Sequence, residues 1–306
     1  MSRIVALIGP TAVGKTDVAI ELATRLDAEI VGCDSMQVYR RMAALAAQPT
    51  AEQRAVVAHH LIDCVEPSES FNVGQYRRLA LEALGDIQRR GKTALIVGGT
   101  GLYLKALTNG LGGAPPADAI VRDRLWQTAD AQGSEALHKR LQGVDPVAAS
   151  KIHPNDPRRT VRALEVYELT GRPLSGSWRW ADDGQGLPMM LIGLHRDRAE
   201  LYERINRRVE HMIRDERVLE EVRALPDSGV ALSRTARQVH GLRFLEAYLR
   251  GRQLLEEVIP QWQQQVRNYA KRQLTWFRAE SRIQWLACEH EGSSRALIGR
   301  ILAMVR

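Results

Sequence analysis

Lys15 and Thr16 close the run Gly9-Pro-Thr-Ala-Val-Gly-Lys-Thr16, a G-x-x-x-x-G-K-T spacing. A lysine amine at the end of such a turn can reach a terminal phosphate, and the threonine hydroxyl can hold Mg²⁺. Pro10, Thr11, Ala12 and Val13 bring the turn's backbone past the same spot, while Gly9 and Gly14 permit angles and approaches that a Cβ would block. A second group capable of chemistry is Asp34, with Ser35, Met36 and Gln37 behind it. A carboxylate there can bind Mg²⁺ or its water, or act as a general base; capping a turn with Ser35 is the bland alternative. Gln37 offers paired hydrogen bonds to an adenine edge, and Gln37 and Tyr39 fall in an exposed-looking stretch. Gly98-Gly-Thr-Gly101 is the third group; its glycines would let a backbone come close to a ligand.

The elements that must carry these residues follow from the apolar runs. Ile4–Ile8 reads as a strand feeding a helix at 15–26, followed by a strand at 29–33. A long connection leads to His59-His60-Leu-Ile-Asp63. A helix at 75–90 then precedes a strand at 93–97. Short apolar strands separated by helices imply a parallel sheet, whose ligands sit at the carboxyl ends of its strands. All three groups follow such ends, so they should converge on one sheet edge. A strand that ends in a Gly-rich turn and opens a helix aims N–H groups and the positive end of the helix dipole at an anion. The pattern therefore predicts a bound phosphorylated small molecule. His59 and His60 point to opposite faces of a strand, which favours a structural role over a shared metal.

Gly110-Leu-Gly-Gly-Ala-Pro-Pro116 breaks the composition and is expected to be a hinge. Helices are expected at 118–128, 134–142, 146–152 and 158–169, with loops at Gly171-Arg-Pro and Asp182-Asp-Gly-Gln-Gly. A strand at 188–193 returns to the sheet. Helices follow, interrupted near Pro226–Gly229 and by a strand at 282–286. The expected fold class is α/β: a P-loop parallel sheet flanked by helices, with a helical insertion domain. The expected division is 1–112 and 188–306 for the core and 113–187 for the insertion.

The 306 residues are 44% hydrophobic and 26% charged, ordinary for a globular protein, and carry 43 Lys+Arg against 36 Asp+Glu, a net charge of +7. The excess is clustered: Arg158, Arg159 and Arg162; Arg204, Arg207 and Arg208; Arg267, Lys271, Arg272 and Arg278. Around the last cluster, Asn268-Tyr-Ala-Lys-Arg-Gln-Leu-Thr-Trp-Phe-Arg278 would lay a basic stripe along a helix, backed by an apolar one containing Trp276 or Phe277. An ordinary amphipathic surface helix and a tracker of nucleic-acid backbone both fit it. Cys33, Cys64 and Cys288 have no metal or disulfide spacing. With no signal peptide and no apolar run near 20 residues, a cytoplasmic location and no membrane partner are expected.

Taken together, six stretches in order resemble the bacterial tRNA dimethylallyltransferases, also called tRNA isopentenyltransferases. They are Gly9–Thr16, Asp34-Ser-Met-Gln-Val-Tyr39, His59-His-Leu-Ile-Asp63, Val97-Gly-Gly-Thr-Gly-Leu-Tyr-Leu-Lys-Ala106, His153-Pro-Asn-Asp-Pro-Arg-Arg-Thr-Val-Arg-Ala-Leu-Glu165 and Tyr269-Ala-Lys-Arg-Gln-Leu-Thr-Trp-Phe-Arg278. The resemblance implies transfer of a dimethylallyl group from its diphosphate to N6 of the adenosine beside the tRNA anticodon, position 37. It implies that Gly9–Thr16 hold the diphosphate with Mg²⁺ on Thr16. Asp34 would be the base on N6, Thr100 would line the channel between the substrates, and Arg208 would neutralise the leaving diphosphate. It further implies tRNA contacts at Asp34, Ser35, Met36, Gln37, Gly101, Asp123, Arg158, Arg159, Arg162, Arg237, Gln238, Arg243, Arg267, Lys271 and Arg272. The partners implied are the anticodon stem-loop of tRNA and dimethylallyl diphosphate, acting on a monomer.

The chain also departs from that pattern. Where the family has Arg-Gly-Met-Asp-Ile-Gly-Thr-Ala-Lys-Pro, this sequence reads Arg40-Arg-Met-Ala-Ala-Leu-Ala-Ala-Gln-Pro49. Ala43–Ala47 has high helix propensity, so this loop is expected to be more helical and less engaged with phosphate, and the enzyme active but slower. Met212-Ile-Arg-Asp-Glu-Arg-Val replaces a helix break, Gly241-Leu-Arg-Phe244 replaces Gly-Tyr-x-Glu, and Val266 stands where Thr is usual. Two other functions share parts of the pattern: a nucleoside-type small-molecule kinase with an ATP-binding P-loop, and a tRNA-binding member of the family with weakened catalysis.

Overall fold

The computed structural model describes residues 4–177, 186–215, 217–227, 231–288 and 294–305. Six parallel strands form one sheet in the order β3-β2-β4-β1-β5-β6. They are β1 (Ile4–Ile8), β2 (Ala28–Cys33), β3 (His59–His60), β4 (Thr93–Gly98), β5 (Met190–His195) and β6 (Gln284–Ala287). β1 and β2 are buried at every position, which is why β1 runs apolar without alternation and β2 departs from that only at Glu29, which pairs with Arg90 and His60. Register is set by pairs such as Leu7↔Val97, Leu7↔Ile192 and Cys33↔Gly98. It brings the ends of β1, β2 and β4 level, so the turns that follow them share one edge.

The chain divides into two compact units, Met1–Lys105 with Pro188–Arg306, and Ala106–Leu187. In the first, α1 (Lys15–Arg25), α2 (Ala51–Val56), α3 (Val73–Arg89) and the start of α4 (Gly101–Asn109) accompany β1 to β4. The second holds α5 (Ala119–Gln132), α6 (Ser134–Val144), α7 (Pro146–Ala149), α8 (Pro157–Thr170) and α9 (Leu174–Ser177). Its core gathers Leu125, Leu137, Leu141, Val161 and Leu164. The first unit resumes with β5 and continues through α10 (Arg198–Arg214), α11 (Arg217–Asp227), a 3₁₀ turn (Ala236–Gln238), α12 (Leu242–Leu249), α13 (Leu255–Arg278), β6 and α14 (Ser294–Val305). Its main core packs Val5, Leu7 and Ile192 of the sheet against Leu22 of α1, Ile205 of α10, Ala270 of α13 and Ile301 of α14.

Several expected boundaries shift. The unit division falls at Ala106, inside α4, and not at the Gly-Pro-rich run that follows. α4 itself stays helical to Asn109, and the Leu187 N–H returns to the Leu107 carbonyl at 2.9 Å, closing the second unit on itself. β5 lies two residues later than expected and β6 begins two later, because pairing with β1 and β5 fixes where the ladder runs. α2 was hidden in the long connection. Its six residues carry no apolar period, but Thr50 and Gln53 form a reciprocal capping box. The Asp182–Gly186 loop lies almost wholly outside the described residues. α11 runs through Pro226 to Asp227, and the rest of the interruption expected there lies outside them too.

Candidate functional site

The turn Gly9–Gly14 joins β1 to α1 through unusual backbone angles: Gly9 at φ +155°, Ala12 at +63° and Gly14 at +105°. A Cβ on Gly9 would stand 2.7 Å from the Leu194 carbonyl oxygen of β5. Gly14 precedes α1 with no side-chain cap, leaving the helix dipole to face an anion. Three arginines wrap this turn. Arg196 and Arg204 donate through Nε to the Val13 and Ala12 carbonyls, each at 3.0 Å. Arg208 Nη1 reaches Thr11 Oγ1 at 3.4 Å. Lys15 Nζ donates to the Gly9 and Pro10 carbonyls at 2.9 and 2.8 Å.

Lys15, Asp34 and Arg208 lie within electrostatic range of one another. Burial pulls the Lys15 ammonium down to about 8, opposed by Asp34. Burial pushes the Asp34 carboxyl up, while backbone donors at Met36 and Gln37 and the two cations pull it back. Burial likewise lowers Arg208. Such a site contains a base closer to neutrality than a surface carboxylate, and cations with little water to screen them. Asp34 Oδ1 accepts the Met36 N–H at 2.9 Å, so one of its oxygens caps the turn.

The strand-end loops are locked to each other by the protein itself. Thr100 Oγ1 accepts the Ser35 N–H at 3.0 Å, tying the loop after β4 to Asp34-Ser35. The glycines of that loop allow close packing within the protein. A Cβ on Gly98 would collide with the Cys33 carbonyl at 2.1 Å, one on Gly99 with Gln273 Nε2 at 2.1 Å, and one on Gly101 with Trp276 Cβ at 2.8 Å. Gln273, on α13, is only 3% exposed. Its Oε1 accepts the Thr11 N–H at 2.8 Å and its Nε2 donates to the Gly99 carbonyl at 2.9 Å, so one carboxamide bolts the Gly9–Gly14 turn to the second loop. Sequence reasoning missed this residue; its signal was the i, i+4 step from Tyr269 along the buried face of α13.

Beside these groups lies a half-open cavity. Thr11, Asp34 and Arg208 lie on its polar side. Its other walls are mostly apolar: Leu45, Val209, Met212, Val239, Trp262 and Val266, with Tyr269 and His240. Burial drives the Tyr269 phenol well above its usual value and holds the His240 imidazole near 4, so both are neutral at pH 7.

The loop that departs from the family pattern forms part of this wall. It makes a single hydrogen-bonded turn. The Gln48 N–H returns to the Ala43 carbonyl and the Ala47 N–H to Ala44, with Ala47 left-handed at φ +47°. The Glu221 carboxylate caps its start by accepting the Ala44 and Leu45 N–H groups at 3.0 and 2.7 Å. Gln48 is buried and donates to the Gln37 and Tyr39 carbonyls at 2.9 and 2.7 Å. Gln37 in turn gives its amide to the Ala47 carbonyl at 2.8 Å, so it braces the loop. Tyr39 is fully buried, contrary to its exposed-looking setting, and donates to Thr235 Oγ1 at 2.6 Å. His60 pairs with Glu29 at 2.8 Å and His59 with the Val57 carbonyl at 2.7 Å, which is the structural role expected.

The basic candidates separate into two kinds. Lys271 and Arg272 are exposed on α13, with Trp276 42% exposed one turn on and Phe277 buried beneath. Arg237 and Arg243 are also exposed, and Gln238 Nε2 bonds the Arg234 carbonyl at 2.9 Å. Arg267, in contrast, is held by Asn206 and Gln264. In the second unit Arg158, Arg159 and Asp123 are exposed. Arg162 is not: with Arg122 it pairs with the fully buried Glu165, and it also donates to the Pro115 carbonyl at 2.6 Å. Its first duty is holding that unit together.

Residues 37–280 match the family model described as IPP transferase, and residues 2–63 that described as isopentenyl transferase. The chain is 44% identical over 304 residues to the tRNA dimethylallyltransferase of Geobacter metallireducens, covering 98% of this chain and 97% of that one. It is 45% identical over 285 residues to that of Geobacillus thermodenitrificans, covering 92% and 90%. Among solved structures it matches the tRNA isopentenylpyrophosphate transferase of Bacillus halodurans with a TM-score of 0.69 at 38% identity, covering 99% and 96%. It also matches a eukaryotic dimethylallyltransferase acting on tRNA, with a TM-score of 0.79 at 27% identity, covering 100% of this chain and 80% of that one.

Proposed function

The chain belongs to the tRNA dimethylallyltransferase family, an enzyme family that prenylates tRNA, and we propose that its apolar cavity is where the dimethylallyl group moves from diphosphate to adenosine N6 beside the anticodon, position 37. The observation that carries this reading is one cavity with phosphate-binding groups and a buried carboxylate on one side and hydrocarbon walls on the other. A five-carbon allylic chain suits those walls, and its diphosphate suits Lys15, Arg208 and the open end of α1. Breaking the allylic C–O bond sends its electron pair to the diphosphate, so cations placed on the departing charge lower the barrier. N6 attacks C1, and its proton passes to Asp34, whose raised pKa suits a base working near neutrality. Thr100 holds Asp34-Ser35 at that point.

A Mg²⁺ ion fits this donor set. Thr16, at the start of α1, offers one hard hydroxyl oxygen, too few for an all-protein cage, which matches a cation bound largely through substrate phosphates and water. Bound there, it would supply further neutralisation of the leaving diphosphate. Lys271, Arg272, Arg237, Arg243, Arg158 and Arg159 are the residues proposed to meet tRNA phosphates. Asp34–Gln37, Gly101, Asp123, Gln238, Arg162 and Arg267 are proposed to act nearer the bases or by shaping the surface. Among the described residues no helix is long and apolar enough to cross a membrane; a cytoplasmic monomer is the proposed working form. The kinase alternative finds no support in hydrocarbon walls beside the phosphate site. The groups proposed for transfer are all present, which favours an active enzyme over a binding-only relative.

The test is incubation with labelled dimethylallyl diphosphate, Mg²⁺ and unmodified tRNA bearing adenosines 3′ of the anticodon. Label on N6 of that adenosine is expected. Label only in free nucleotide, or phosphate transfer from ATP, overturns the reading.

A further inference from the structure

Four carbonyls of the Gly9–Gly14 turn are held by cations. Lys15 takes those of Gly9 and Pro10, Arg204 that of Ala12 and Arg196 that of Val13. The last grip differs from the others in what it does to the next N–H. A trans peptide sets each carbonyl opposite the N–H of the residue that follows. Holding the Ala12 carbonyl turns the Val13 N–H back into the turn, where the Pro10 carbonyl meets it at 3.4 Å. Holding the Val13 carbonyl turns the Gly14 N–H away from Arg196, and that N–H has no partner among the described residues. Gly14 stands just before α1, so its N–H joins those at the open end of that helix.

Arg196 is placed to hold and not to attract. It follows β5 directly, and the Cys288 N–H ties the His195 carbonyl before it to the sheet at 2.8 Å. Its side chain is only 9% exposed, and Glu200, in the first turn of α10, takes Nη1 and offsets the charge. Nη2 lies beside Gly14, 3.8 Å from where a Cβ would stand. We infer that Arg196 is a positioning residue for the diphosphate: it fixes the Val13–Gly14 peptide so that the Gly14 N–H faces the bound anion, and Glu200 keeps the guanidinium at that task. This rests on the proposed use of the turn for the donor's diphosphate. Lys15 and Arg208 act there by charge. Arg196 acts by geometry, because its charge is paired and its Nε–H is spent on a carbonyl. The grip is needed because Gly14, at φ +105°, has the freedom to let that peptide rotate. Once released, the plane can turn its carbonyl oxygen toward the anion in place of the N–H.

The test measures binding of inorganic pyrophosphate with Mg²⁺ by calorimetry, kcat and KM for dimethylallyl diphosphate, and tRNA affinity by filter binding. The variants are Arg196→Met, Arg196→Lys and Glu200→Ala. Arg196→Met is expected to weaken pyrophosphate binding and raise the donor KM by about 10-fold or more, the scale of one hydrogen bond to an anion. Its kcat should fall less than its KM rises, and its tRNA affinity should stay parental. Arg196→Lys keeps the charge but not the planar fork, so it should resemble Arg196→Met. Glu200→Ala leaves Arg196 unheld and should show part of the same loss. A freed positive charge alone would tighten pyrophosphate binding, so the sign separates geometry from charge. Parental pyrophosphate affinity in Arg196→Met overturns the inference, as does full recovery in Arg196→Lys or tighter binding in Glu200→Ala. Equal losses of pyrophosphate and tRNA affinity would assign Arg196 to the fold at large and also overturn it. Where Arg196→Met does not fold, the direction of change in Glu200→Ala decides. If the parent transfers no prenyl group, the proposed function fails, while pyrophosphate affinity across the variants still decides the role of Arg196. A parent that binds no pyrophosphate overturns the inference outright.

Discussion

Replacing Gln273 by Leu removes one carboxamide and leaves two backbone groups without partners: the half-buried Thr11 N–H, now held at 2.8 Å, and the buried Gly99 carbonyl, held at 2.9 Å. Leu nearly preserves the volume, so the change is chiefly the loss of hydrogen bonds. Each unpaired buried group costs about 1–3 kcal/mol. Partial relaxation toward water at the turn keeps the sum near the lower half of that range, about 2–4 kcal/mol. For a chain of this size that is a fall in Tm of roughly 4–16 °C. The functional effect should exceed what lost stability explains at assay temperature, because Thr11 lines the cavity and touches Arg208. KM for the allylic diphosphate should rise and kcat should fall. Gln273→Glu separates the two bonds. It keeps an acceptor for Thr11 but sets a carboxylate against the Gly99 carbonyl, so it should destabilise at least as much as Leu at pH 7 and recover in acid as it protonates. Differential scanning fluorimetry and steady-state kinetics at fixed tRNA measure both. A Gln273→Leu variant with parental Tm and parental donor kinetics would refute the claim that this carboxamide bolts the two loops together.

Asp34→Asn should retain tRNA binding and lose about 10²–10⁴ of the transfer rate, the usual contribution of a base. Filter binding and single-turnover transfer check this; parental turnover would remove Asp34 from that role. Activity in the parent should rise with pH as the raised Asp34 carboxyl ionises, then fall as Lys15 loses its proton around 8 in the free enzyme. Lys15→Arg should move the alkaline limb of kcat/KM upward, and an unmoved limb would assign it to another group. Arg208→Ala should weaken donor binding and slow turnover together, since the same charge acts on bound and departing diphosphate; calorimetry with the donor and initial rates would expose an unchanged variant. Removing Lys271 or Arg272 should each reduce the slope of log affinity for tRNA against log salt by about one unit, and unchanged slopes would leave the stripe on α13 an ordinary surface. Setting Gly-Thr-Ala-Lys at positions 45–48 should raise kcat/KM, because Ala46→Thr adds a hydroxyl and Gln48→Lys a cation near the donor, outweighing the loss of the buried Leu45 side chain. No gain in a folded variant would show that the single turn capped by Glu221 already serves.

Gly9–Thr16 and the apolar strands around it were enough to fix a parallel sheet with a glycine-bounded turn and a lysine at its edge. The reason is local: β-turn-α geometry places lysine, hydroxyl and helix dipole together with help only from neighbours in sequence. Asp34 and Thr100 were legible for a similar reason, since each follows a buried strand and parallel register brings those ends level. The six ordered stretches carried the family by the same logic. What the sequence could not specify were partnerships across long separations. Gln273 is 262 residues from Thr11, and nothing in its immediate neighbours says that its two amide atoms face two different loops. Gly98 and Gly99 looked like space for a ligand and proved to be space for Cys33 and Gln273. Arg162 looked like a free cation, yet a buried carboxylate three residues away claims it. Ala43–Ala47 has the propensity for a helix and Glu221 from α11 caps its start, but the left-handed Ala47 ends it after one turn. Composition and spacing report which groups a chain owns; burial, which depends on every element at once, decides which of them are left free to meet a substrate.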